Sequence, residues 1–156
     1  MRTVRVQKYR RRHPTRQSGT MSEQKRVVQA AERKLVKLDA DQHFQDICRI
    51  EVTDTDSQVV PGKGGFRRGR CSVVNMERAD TVDEVEAATT IFHEGIHAHD
   101  IAQDGEDGIS KEAEVEAHRQ TIAFLEDWKK REPAKTKRID EEIEEERESI
   151  AYLETH

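Results

Sequence analysis

Hydrophobic positions recur at helical spacing in four stretches of the chain. Val27, Val28, Ala31, Leu35 and Leu38 line one face of a helix predicted to open at Ser22 and to reach about 39–41. Val82, Val85, Phe92 and Ile96, with Ala88 and Thr89 between them, mark a second helix that Thr81 or Asp83 can cap and that ends at Asp100. A third, capped by Ser110, is expected from Lys111 to Lys130, with Val115, Ile122 and Leu125 in its stripe and Ala117, Phe124 and Trp128 widening it. Glu132-Pro133 breaks it. A last helix over about 134–155 carries Ile139, Ile143, Ile150 and Leu153 near heptad spacing. It is expected to pack onto its own domain, with a dimer seam or a partner helix as the alternative.

Between the first two helices the period changes from 3.6 to 2. Over 44–53, Cys48, Ile50 and Val52 oppose Arg49, Glu51 and Thr53, which predicts a strand with one buried face, although Ile47 breaks the alternation. Cys71–Met76 predicts a further strand directly before the second helix. Residues 54–70 are turn-rich and basic and read as a mobile hairpin loop. Their run Pro61-Gly62-Lys63-Gly64-Gly65 lacks the spacing, and the following Lys-Ser/Thr, of a phosphate-binding loop. Residues 100–110 form a loop whose acids do not have the spacing of a calcium loop.

Composition narrows the picture. Hydrophobic residues are 33% of the chain and charged residues 38%, so a small core must be covered by strongly two-faced helices. No apolar run is long enough to span a membrane, and the basic start lacks the apolar stretch of a signal peptide. Cys48 and Cys71 are expected to be free, buried thiols in a reducing, cytoplasmic setting. The net charge of −5 hides an asymmetry, because residues 1–20 hold seven Arg or Lys and no acid. That arm reads as a solvated tail, with an electrostatic tether to nucleic acid or an acidic partner as the sharper alternative. The acidic remainder argues against a protein built around nucleic acid. The organisation expected is a basic arm over 1–20, a domain over 21–130 and a charged helix over 131–156, in an α+β fold.

The candidate chemistry sits in the second helix. His93-Glu94-Gly95-Ile96-His97 places two imidazoles one turn apart, with Cβ atoms about 5–6 Å from each other, so both can reach one metal ion. Glu94 lies about 100° round from His93, where a general base belongs and an equal third ligand does not. Two histidines do not hold zinc at useful affinity, so a third protein donor is needed. Gln103 and Asp100 stand where a metzincin would have His and Gly, which excludes that class. Among Glu112, Glu114, Glu116 and His118 of the next helix, Glu114 is the best candidate, because Ala117 and Thr121 follow on its face and allow close approach. His99, about 240° round from His93, is expected outside the ligand set, as is His43 in its loop.

His93-Glu94-Gly95-Ile96-His97 followed by Glu114-Val115-Glu116-Ala117 resembles the gluzincin metallopeptidases, especially minimal ones of the ImmA/IrrE type. The sequence is also similar to bacterial effector metalloproteases whose motif continues His-Ala, as in His97-Ala98. The resemblance covers roughly residues 70–128. It implies a zincin-like domain with a small mixed or antiparallel sheet of about three strands packed on helices. It also implies zinc held by His93, His97 and Glu114, Glu94 as base, and a protein or peptide substrate lying along an edge strand at Cys71–Met76. His118 and Tyr152 are the candidates for the group that steadies the oxyanion in larger gluzincins. The expected function is zinc-dependent peptide hydrolysis, and the alternative is a zinc-binding regulatory or interaction module without turnover.

Overall fold

The computed structural model describes residues 20–52, 58–61, 71–104 and 110–156. Most of the basic arm, the glycine run at 62–65 and the loop at 105–109 lie outside the described residues. Helix α1 spans Met21–Lys37. Its cap is Thr20 rather than Ser22: the Thr20 hydroxyl accepts from the Glu23 amide at 3.2 Å and the Glu23 carboxylate accepts from the Thr20 amide, which satisfies two orphan donors at once. The helix stops short of 39–41 because Asp39 adopts φ 57°, the left-handed turn that ends a helix and that Asp tolerates better than most residues. Val28, Ala31 and Leu35 are buried, as their spacing requires.

Strand β1 is Ile47–Val52, β2 is Gln58–Pro61 and β3 is Ser72–Met76, hydrogen-bonded in the order β1-β3-β2. β1 runs parallel to β3 and β2 antiparallel to it. Ile47 pairs with Ser72 and Arg49 with Val73, so Cys48 is an extra residue in the ladder. That irregularity explains the broken alternation: Ile47 and Ile50 both pack against the core on either side of it. β3 is bonded on both sides and all five of its residues are buried. The expected substrate-binding edge at Cys71–Met76 is therefore corrected, since a central strand has no free backbone groups to offer a peptide.

The free-thiol expectation is also overturned. Cys48 and Cys71 form a disulfide with Cα atoms 5.2 Å apart, because the irregularity at Cys48 brings it beside the residue that precedes β3. The cytoplasmic expectation loses the support it drew from free thiols, since such bonds persist in oxidising compartments. The bond closes a loop across a sequence separation of 23 residues. Replacing both cysteines by alanine is expected to lower the unfolding free energy by about 3 kcal/mol through the restored entropy of the open chain. Urea denaturation of the double variant measures this, and an unchanged midpoint would count against the bridge.

Helix α2 spans Glu84–Asp104, α3 Lys111–Arg131 and α4 Thr136–Thr155, with a short turn at Pro133–Lys135 between the last two. α2 continues a turn past the expected end at Asp100 because its apolar face does: Ile101 and Ala102 are buried. Every residue from Val85 to Ala98 is buried, so α2 is the central helix, enclosed by α1, β3, α3 and α4. Phe92 stacks on Phe124 with ring centroids 4.5 Å apart, and Trp128, Leu125, Ile139 and Ile143 fill the space between α3 and α4. Arg138 of α4 reaches Asp83 at the start of α2 at 2.8 Å and Glu142 at 3.0 Å, pinning the two helices together. Among the described residues no helix is long and apolar enough to cross a membrane.

Candidate metal centre

His93 and His97 lie in the middle of α2, one turn apart, and face α3. Glu114 lies in the first turn of α3, behind the Ser110 cap, whose side chain accepts from the Ala113 amide at 3.0 Å. Ala117, wholly buried, lets α3 approach α2 closely. The Glu114 carboxylate is thereby set between the rings. Its Oε1 is 2.9 Å from His93 Nε2, its Oε2 is 2.8 Å from His97 Nε2, and the two Nε2 atoms are 3.0 Å apart. The structure thus brings together the three residues the sequence nominates as ligands.

Two imidazole nitrogens and a carboxylate in this arrangement fit a zinc ion. Bond lengths of 2.0–2.1 Å in a tetrahedron separate neighbouring donors by about 3.3 Å, only slightly more than the spacings here. The Nδ1 atoms of His93 and His97 are buried without a hydrogen-bond partner among the described residues. Each ring therefore turns its Nε2, and not its Nδ1, to the shared point. Glu94 is buried, and its charge acts on His97.

His118 and Glu146 extend the centre. His118, one turn after Glu114 on α3, has its Nε2 3.4 Å from Glu114 Oε1 and its Nδ1 3.3 Å from Glu146 Oε1 of α4, and both side chains are wholly buried. A carboxylate, an imidazole and a second carboxylate thus form a line from α4 to the ligand position. Tyr152, the other candidate for stabilising an oxyanion, is instead exposed and stacks on His156. His99 stays outside the centre, as its angular position requires, and pairs with Asp46 at 3.0 Å.

The electrostatics divide the imidazoles. Burial pushes His93 well below its ordinary pKa, and the neighbouring His118 and His97 add to this against the pull of Glu114. Burial acts the same way on His97 but is outweighed by the hydrogen bond and charge of Glu114 and by the charges of Glu94 and Asp100, which raise it. His118 is likewise raised, burial being outweighed by hydrogen bonds to Glu114 and Glu146 and by their charges. Burial disfavours the Glu114 carboxylate, yet the charge of His93 and the hydrogen bonds from His118, His93 and His97 hold its pKa far below the usual range. Without a metal, protons on His97 and His118 supply the positive charge that these carboxylates need, and a divalent cation can supply it instead.

The sequence offers His118 as a lesser candidate for the third ligand and for the oxyanion, and gives no role to Glu146. The spacing of Glu114 and His118, four apart on one helix, was a usable signal for the first. Glu146 lies in a run of acids, and nothing local marks it as the one that turns inward. The chain matches no family model, no curated protein and no solved structure.

Proposed function

We propose that this chain is a zinc-dependent metallopeptidase with a minimal, zincin-like domain of gluzincin type. The observation that carries the proposal is the convergence of His93, His97 and Glu114, within 3.0 Å of one another, beside the buried carboxylate of Glu94. His93 and His97 would hold zinc through Nε2, and Glu114 would complete the set with its carboxylate. When bound, zinc supplies Lewis acidity towards a carbonyl oxygen and towards water. Glu94 takes the proton of the attacking water and returns it to the departing amine of the cleaved peptide. Its neighbour His97 is fixed on the same helix, so base and ligand keep their spacing. The line from Glu146 through His118 to Glu114 keeps the third ligand oriented, as partners behind metal ligands do elsewhere. Protein or peptide is the substrate class.

Zinc content is the first test. Purified protein is expected to carry one zinc ion at this centre, and Glu114→Gln to bind it at least about tenfold more weakly in a competition assay with a chromogenic chelator. An unchanged affinity would remove Glu114 from the ligand set.

A second reading, a zinc-binding regulatory or interaction module without turnover, is favoured by one observation: His93, Glu94, His97, Glu114 and His118 are all buried, so none of the reacting groups lies at the surface. Chelator-sensitive cleavage of a library of unstructured peptides separates the two. Hydrolysis that stops with chelator and returns with zinc supports the peptidase, and zinc-loaded protein that cleaves nothing supports the module.

A further inference from the structure

A second set of metal-ligating side chains lies on another side of α2. His43 closes the loop after α1, Asp46 follows it in the turn Phe44–Asp46, and His99 stands near the end of α2. His99 Nδ1 is 3.0 Å from Asp46 Oδ2, and the His43 and His99 rings lie 4.8 Å apart between centroids. One donor atom from each of the three residues falls within 4.8 Å of the others. Residues 97 and 99 differ by about 200° around the helix, so these donors do not face the buried centre.

A glycine eases this approach. A Cβ on Gly95 would stand 3.3 Å from the Cβ of His43 and 3.7 Å from Ile47, so a larger residue would make the His43 turn give by a few tenths of an ångström. Gly95 is one of the two free positions within the His93–His97 motif, and the absence of a side chain there favours close approach of the His43 turn. The three side chains are partly exposed, which leaves an ion a route in from solvent.

We propose that His43, Asp46 and His99 form a second, solvent-accessible site for a divalent transition-metal ion of the zinc or nickel kind. Two imidazoles and one carboxylate are the donors such ions prefer, and they leave coordination positions for water or for a donor from another molecule. A simple surface ion pair needs one histidine beside Asp46. Two imidazoles at this separation repel each other if both are charged, whereas neutral rings present lone pairs to a shared cation. An ion held here ties the entry to β1 onto α2.

The test is equilibrium dialysis of the full chain against Zn2+ alone, followed by elemental analysis, for the wild type, His99→Ala and His43→Ala; the last keeps the Cβ that faces Gly95. Each variant is expected to hold one zinc ion fewer per chain than the wild type and to gain a smaller rise in melting temperature on adding zinc. Equal zinc in variants and wild type overturns the proposal. The difference does not depend on whether the buried centre binds: a wild type with one ion and variants with none supports this site while counting against the peptidase reading. If an alanine variant loses its helical circular dichroism in chelator, Asp46→Asn, which keeps the side-chain shape, decides. It must weaken this zinc ion at least tenfold, and an unchanged affinity rejects the site.

Discussion

Glu94→Gln is expected to keep its zinc and lose its hydrolysis, by about 10²–10⁴-fold, the range that a positioned general base contributes. The amide keeps the size of the side chain and its place between His93 and Gly95, so the helix and the ligand spacing survive. What disappears is the ability to accept a proton from water. The negative charge that favours protonated His97 disappears as well. In the metal-free variant His97 should therefore titrate at lower pH than in the wild type, which NMR of the imidazole follows without any substrate. Loss of cleavage with zinc content unchanged assigns the base. Cleavage at the wild-type rate, with the same zinc content, would transfer that role to another group, and His118 would be the first to examine.

His118→Ala is expected to destabilise the metal-free protein by about 3 kcal/mol, the lower end of what breaking a buried ion pair costs. The imidazole lies between Glu114 and Glu146, at 3.4 and 3.3 Å, and its removal leaves two buried carboxylates facing each other across a small cavity. A double-mutant cycle with Glu146→Gln separates the charge from the lost volume. Coupling of about 1 kcal/mol or more shows that the two act as a pair, and additive losses would make His118 a space-filler.

The pH dependence of stability gives the sign. His118 is raised above 6.5 in the fold, so its contribution is complete below about pH 6.5 and is lost as pH rises through its folded value. Glu114 is lowered from 4.5, so its contribution is present above about pH 4.5 and is lost only as acid reaches its much lower folded value. In chelator, the melting temperature should therefore fall on the alkaline side of neutrality, and His118→Ala should flatten that fall.

Local pattern carried much of this molecule. The stripe Val28, Ala31, Leu35 placed α1, Ser110 capped α3, Glu132-Pro133 ended it, and the period-2 run before Val52 marked β1. Misreadings fell where distant residues decide. Whether α2 stopped at Asp100 depended on what would cover Ile101 and Ala102, and whether Cys48 stayed a thiol depended on an irregular ladder beside Cys71. The inward acids of α4 resemble its outward ones in sequence, because burial of Glu142, Glu145 and Glu146 follows from what α2 and α3 present to them.

By itself the sequence determined that two imidazoles would share a helix face with an acid beside them, since one turn of backbone sets that spacing wherever the helix lies. It also marked Glu114 as the partner, through the small residues that follow on its face. Only the tertiary structure decided that Glu146 backs His118, that His43 meets His99, and that β3 lies inside the sheet with no edge to offer. Each of these joins residues far apart in the chain, and such contacts are settled by how helices and strands pack, on which local spacing is silent.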